Sequence, residues 1–296
     1  MSVRNERANS GKTMFPRKKS IRLQTLIGKI VTYTILILAG ITFILPFFWM
    51  VSSSLKPIDK IFSIPIQWLP EEAQWANYSQ AFNVLPLGRY FSNTAMVTGL
   101  NIVGSLISCT LAAYGFSRLD FWGKDVFFLV LIATMMLPFQ VTIIPLFLLF
   151  SRLGWINTFL PLVVPSFFGN AFYIFLMRQY FSTIPAELEE AAIIDGCGRF
   201  RVFFNIILPL TKPALVTVML FTFMGAWNDF FNPLIYISSP RRFTIALGLS
   251  QFRSEFGSYW HLLMAGSTVA IAPCLILFFF FQRYFLEGIA STGLKG

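Results

Sequence analysis

Ile184-Pro185-Ala186-Glu187-Leu188-Glu189-Glu190-Ala191-Ala192-Ile193-Ile194-Asp195-Gly196 holds four of the chain's 13 acidic residues within nine positions. Pro185 suits a first helical turn, and the three Glu residues complement the positive end of a helix dipole. Gly196 is placed to stop the helix with a positive φ. The pattern predicts a short helix of about ten residues, with Leu188, Ala191, Ala192 and Asp195 at i, i+3, i+4 and i+7 on one face. The small Ala side chains let a partner's wall approach the backbone, and Glu190 offers a charge-assisted bond to a basic group. Such a helix suits docking rather than catalysis.

The 296 residues as a whole are 56% hydrophobic, 17% aromatic and only 12% charged. Soluble domains average about a quarter charged residues, so the bilayer is the natural solvent for this chain. One crossing needs about 20 apolar residues. Uncharged intervals of sufficient length run from Lys29 to Lys56, Arg89 to Arg118, Asp125 to Arg152, Arg152 to Arg178 and Glu255 to Arg283. A shorter sixth, Lys212 to Asp229, extends backwards through Ile206, Ile207 and Leu208 if Lys212 snorkels. The sequence therefore predicts an all-α membrane protein with six transmembrane helices, roughly 30–52, 90–115, 126–149, 159–180, 206–231 and 261–282. The first is too long for a signal h-region and lacks a small-residue cleavage pattern, so it reads as an uncleaved anchor.

The positively charged segments orient the spans. With the N-terminus cytoplasmic, sixteen of the 23 Lys and Arg lie inside: eight in 1–29, then Arg118, Lys124, Arg178, Arg199, Arg201, Lys212, Arg283 and Lys295. Both termini are thus expected in the cytoplasm. The same flanks account for most of the net charge of +10 and meet anionic membrane lipid, which leaves no need for a nucleic-acid partner. The expected organisation is a basic tail 1–29, a six-helix domain 30–283 with its acidic loop at about 182–205, and a tail 284–296. Pro138 and Pro145 interrupt the third span, Pro161 and Pro165 open the fourth, and Gly266 with Pro273 interrupts the sixth. Such breaks free carbonyls that neighbouring helices, Ser/Thr side chains or a wet cavity must satisfy.

Glu190-Ala191-Ala192, three residues, Gly196, nine residues, then Ile206-x-Leu208-Pro209 matches the EAA motif at every fixed position. On these residues the chain resembles the permeases of binding-protein-dependent ABC importers, with Cys197 where the family commonly has Ala. The resemblance implies a type I ABC importer permease fold, non-enzymatic by itself, in a bacterial or archaeal cytoplasmic (inner) membrane. It implies that Glu190, Ala191, Ala192, Asp195 and Gly196 form a coupling helix on an ATP-binding subunit, and that Leu208-Pro209 restarts the fifth span. ATP and Mg would then sit on two partner ATPases, with a homologous permease and an extracytoplasmic solute-binding protein completing the assembly.

Trp227-Asn228-Asp229-Phe230 with Asn232-Pro233-Leu234, and a glycine-rich tail from Gly288 ending Lys295-Gly296, are similar to the second, maltose-type carbohydrate permeases. The resemblance covers about 20–296. It implies that the loop containing Ser239, Pro240 and Arg241 meets the solute-binding protein. A carboxylate near membrane depth is costly unless it faces a wet cavity or a partner. Asp229 therefore either lines a sugar path with Trp227 and Asn228 or caps a helix at the outer interface. The substrate class implied is a sugar, oligosaccharide or glycosylated polyol. Glycerol-3-phosphate-type solutes are the alternative within the family, and an ion-coupled secondary carrier is the alternative outside it.

Gly11-Lys12-Thr13 copies the end of a P-loop, but position 6 is Glu where Gly is required, so no ATP site is expected on this chain. The lone His261 and the scattered Cys109, Cys197 and Cys274 have no metal-ligand spacing, and no catalytic residues are expected.

Overall fold

The computed structural model describes residues 18–254 and 257–293, with side chains over 25–253 and 258–282. The Gly11-Lys12-Thr13 segment, Glu255 and Lys295-Gly296 lie outside the described residues. Two units are distinguished, 1–50 and 51–296. The first carries most of α1 (Lys18–Ser54), a helix whose Thr25–Ser54 stretch is long and apolar enough to cross a bilayer.

In the second unit the order is α2 (Ala76–Val84), α3 (Leu87–Arg118), α4 (Lys124–Thr134), α5 (Phe139–Arg152), α6 (Leu160–Val163) and α7 (Ala171–Phe181). Then come α8 (Glu187–Ile194), α9 (Arg199–Val202), α10 (Leu208–Leu210), α11 (Lys212–Trp227), α12 (Phe231–Tyr236), α13 (Ile245–Leu249) and α14 (Trp260–Gly293). A two-residue antiparallel pair, Arg253–Ser254 with Gly257–Ser258, precedes α14.

Four stretches are long and apolar enough to cross singly: Thr25–Ser54, Leu87–Arg118, Leu160–Phe181 and Trp260–Gln282. Among the described residues two bent helix pairs pass the same test, which brings the number to six when each pair is taken as one crossing. The third expected span is α4 and α5, meeting at 98°. Pro138 is extended there (ψ 139°) as the residue before α5, and a proline disfavours helical backbone in its predecessor, Leu137, so α4 does not run on into α5. The fifth expected span does not run straight from Ile206. The segment 199–210 meets α11 at 76°, with the break at Thr211 (φ −94°, ψ 10°). Pro213 cannot donate to the preceding turn, and the Thr211 hydroxyl instead donates to the Leu208 carbonyl at 2.9 Å. The final helix continues to Gly293, past the expected boundary at 283.

α3 is the axis of this unit, packed against both α7 and α11. Its inward residues recur at helical spacing: Leu87, Tyr90, Thr94, Val97, Ser105, Cys109 and Ala113. One end, at Leu87 and Tyr90, packs into a core with Trp227, Ile245 and Phe252. The other, at Cys109, Ala113 and Tyr114, packs into a core with Met177, Phe181, Ala192 and Val202. Gly104 lies between, against Ser166 and Phe167, where a Cβ would collide with both side chains.

The segment before α2 is fixed by polar bonds. Asn77 donates to the carbonyls of Ser54 (2.9 Å) and Lys56 (3.0 Å), and Ser54 Oγ lies 2.8 Å from the Tyr78 hydroxyl. Lys56 is fully buried with its ammonium donating to Gln67 O. Burial pushes that ammonium below the ordinary lysine pKa.

Candidate functional site

Two features carry functional chemistry, one at the middle of α3 and one near its C-terminal end. The first is a cavity of about 530 Å³ walled by α3, α5, the α6–α7 connection, α11 and α12. Its polar lining includes Asn101, Ser105, Asn170, Asp229, Asn232 and Thr244, and among the described residues no Lys or Arg lines it. The Thr244 hydroxyl is buried without a partner among the described residues.

The local sequence explains how these groups reach the cavity. Pro161 and Pro165 open the fourth crossing as a helical turn followed by a 3-10 segment, Val164–Phe168. The chain then breaks at Gly169 (φ 87°), and Asn170 accepts from the N–H groups of Phe172 and Tyr173 at 3.0 and 3.3 Å to restart it as α7. Asn101 on α3 donates to the carbonyl of Leu162 at 2.9 Å, bridging the interrupted crossing.

The three residues expected along a sugar path separate. Asp229 lines the cavity and also binds the first turn of α12: Oδ1 accepts from Asn232 N at 3.1 Å, and Oδ2 from Asn232 Nδ2 at 2.9 Å. The carboxylate therefore lines this cavity and caps the first turn of α12 at the same time. Trp227 is buried instead, stacked on Phe223 with its indole N–H donating to Ala270 O on α14 at 3.0 Å. Asn228 is exposed and donates to Met224 O at 2.8 Å. Neither Trp227 nor Asn228 lines the cavity, because consecutive helical residues point in different directions.

The second feature is α8 and its turn. The helix ends as its sequence predicts: Gly196 has φ 82°, its N–H donates to Ile193 O at 3.0 Å, and Cys197 N–H donates to Ala192 O at 2.9 Å. This pair of bonds satisfies carbonyls the helix leaves open. The expected common face divides in two. Ala192 packs into the core with Tyr114 and Phe203, whereas Leu188, Glu190, Ala191, Asp195 and Gly196 are exposed. Ile194 (85% exposed) and Phe200 (78%) extend this outer face with apolar surface. Ile206 and Leu208 pack partly buried beneath it, and Pro209 is exposed.

Sequence reasoning passed over two residues here. Arg118 was counted only as an orienting charge and Glu189 only as dipole complement, yet Arg118 Nε stands 3.0 Å from Glu189 Oε1, each side chain 13% exposed. The same guanidinium donates to the carbonyls of Phe181 (2.6 Å) and Ile184 (2.5 Å). The i, i+3 spacing of Glu189 and Ala192 was the available cue that this face turns inward.

The loop holding Ser239, Pro240 and Arg241 is mounted rigidly. Asn157, at φ 59°, accepts from the N–H groups of Ser238 and Ser239 at 3.2 and 2.9 Å. Asn93 on α3 donates to the carbonyls of Arg241 (3.1 Å) and Phe243 (2.9 Å). Ser239 is half-buried, and Pro240, Arg241 and Arg242 are exposed.

Residues 104–290 match the family described as binding-protein-dependent transport system inner membrane component. The chain is 39% identical over 284 residues to the probable ABC transporter permease protein YurM of Bacillus subtilis, covering 94% of this chain and 93% of that one. It is 32% identical over 260 residues to the arabinooligosaccharides transport system permease protein AraQ of the same organism, covering 87% and 92%. Its backbone superposes with a TM-score of 0.79 and 25% identity on a chain of a bacterial ABC transporter involved in the import of the acidic polysaccharide alginate, covering 92% and 100%. The interrupted helical body has the type I importer permease fold, that of a transport subunit of a larger complex and not an enzyme. The chain belongs to the family of binding-protein-dependent transport system inner membrane components.

Proposed function

We propose that this chain forms one half of the translocation path of an ATP-driven importer for a neutral sugar, oligosaccharide or glycosylated polyol. The observation that carries the solute class is the cavity lining: amide and hydroxyl groups with a single carboxylate, Asp229, and no cation. Amides and hydroxyls bond sugar hydroxyls in both directions. An anion such as glycerol-3-phosphate would enter beside Asp229 with no Lys or Arg of this lining to offset the repulsion. Relatives named for arabinooligosaccharides and for starch degradation products agree with the carbohydrate class, and the structural neighbour named for the acidic polysaccharide alginate is also a carbohydrate importer.

Power enters at α8. Its outer face, with Glu190, Ala191, Asp195 and Gly196, seats on one of two ATPase subunits that hold ATP and Mg, while a homologous permease supplies the other half of the path. The excess of basic flanks supports a cytoplasmic position for both termini and α8, which puts the Ser239–Arg241 loop outside, where a solute-binding protein would deliver its cargo. Closure of the ATPases moves α8 and opens the path outward, and hydrolysis returns it inward.

Replacing Glu190 with Lys in the complete importer tests the docking. Hydrolysis should continue while import falls, and unchanged import would overturn the assignment. The solute class is tested by measuring which compounds raise the melting temperature of the cognate binding protein. Stabilisation by neutral glycosides is expected, and stabilisation by phosphorylated polyols alone would reverse it.

A further inference from the structure

We propose that Arg118 is a positioning residue that locks α8 to α3, so that movement of the docking helix reaches the cavity wall through one rigid element. This rests on the docking reading above and adds to it the route inside the chain. The guanidinium holds three segments at once: its own helix, the end of α7 through the carbonyls of Phe181 and Ile184, and α8 through Glu189. A cation at the carbonyl end of α7 is favoured by the helix dipole, and the planar fork reaches several acceptors together. Lysine, a point charge on a flexible stem, cannot reproduce that geometry.

Both side chains are largely buried, so bulk salt screens their pairing little, and removing one partner leaves the other charge poorly solvated. Tyr114 donates to Glu189 Oε2 at 3.4 Å, and Ala192, one helical turn along from Glu189, packs into the core that contains Tyr114. α8 therefore turns Glu189 and Ala192 to its own chain and Glu190 and Ala191 outward, dividing the work of holding and of docking. Arg118 ends the same helix that carries Asn101 and Ser105 in the cavity wall. Ser105 and Arg118 are thirteen positions apart, about 20 Å of uninterrupted α-helix. A displacement of α8 is thereby a displacement of one wall of the path.

The test uses the complete importer in proteoliposomes, reading ATP hydrolysed per solute imported. Glu189→Gln is nearly isosteric and leaves the carbonyl bonds of Arg118 in place, so it reports on the tie even if Arg118 variants assemble poorly. For Glu189→Gln and Arg118→Lys we expect import to fall about 10-fold with hydrolysis retained within about 2-fold, because one partner of a buried pair is lost. The double variant should be no worse than Arg118→Lys alone, since both changes break one interaction. An unchanged ratio in both single variants, with Glu190→Lys still raising it, would overturn the tie and leave the docking reading standing. An unchanged ratio in all three would overturn both. Equal losses of import and hydrolysis in correctly assembled complexes would mark a merely structural role and also overturn it.

Discussion

Asp229 Oδ2 accepts from Asn232 Nδ2 at 2.9 Å while Oδ1 of the same carboxylate accepts from the Asn232 backbone N–H at 3.1 Å. The carboxylate thus organises the turn between α11 and α12 and at the same time sets the charge of the cavity. These two jobs are separable. Asp229→Asn keeps one oxygen for the Asn232 backbone and removes the charge, so the fold should persist while entry of anionic solutes becomes less unfavourable. Asp229→Ala removes both bonds at a cost of about 1 kcal/mol, comparable to losing a helix cap. Import kinetics across neutral and anionic analogues check this: the Asn variant should change the selectivity ratio, and the Ala variant should also lower the melting temperature.

Trp227 should behave in the opposite way. Its ring lies in the core between α11 and α14, with its N–H on Ala270 O, and takes no part in the cavity lining. Trp227→Phe keeps most of the packing and is expected to cost about 1 kcal/mol through the lost hydrogen bond. Trp227→Ala should cost about 3–5 kcal/mol as a large buried aromatic is removed. Thermal unfolding of the detergent-solubilised subunit measures both. Solute selectivity of the Phe variant should match the parent, and a changed selectivity would return Trp227 to the path.

The legible part of the molecule follows from which interactions are local. Gly196 ends α8 because a positive φ is a property of one residue and its immediate neighbours, and Pro161 and Pro165 open the fourth crossing for the same reason. The bend at Pro138 is visible in the sequence as a breaker and the one at Thr211 is not, and the angles of both, 98° and 76°, depend on what each half packs against. A run of uncharged residues gives a crossing and not its straightness. Arg118 and Glu189 are 71 positions apart, so no local pattern joins them. The distinction among Trp227, Asn228 and Asp229 also depends on the azimuth of α11, which the sequence motif leaves open.

Gly196→Ala tests the turn itself. At φ 82° an added Cβ costs about 1 kcal/mol from the left-handed backbone, although the surrounding space is open. The cost falls on the two bonds from Gly196 and Cys197 that close α8. Gly196→Asn, whose side chain tolerates this region better, should retain more activity. ATP hydrolysed per solute imported is expected to rise in the order Gly, Asn, Ala, and equal ratios would show that the turn geometry is not used in coupling.

The loop at Pro240–Arg242 yields the last test, because its charge and its mounting are carried by different residues. Arg241 is exposed, so Arg241→Glu should weaken capture of the binding protein chiefly through association rate, with an effect that shrinks as salt rises. Asn93→Ala leaves the arginine in place but removes the two bonds that hold the carbonyls of Arg241 and Phe243 to α3. At about 1 kcal/mol each, those bonds fix the loop before any partner arrives. Their loss should lower affinity through the cost of ordering the loop and should leave the salt dependence unchanged. Stopped-flow binding of the binding protein at low and high salt separates the two variants. The same salt slope in Arg241→Glu as in the parent would remove Arg241 from the contact.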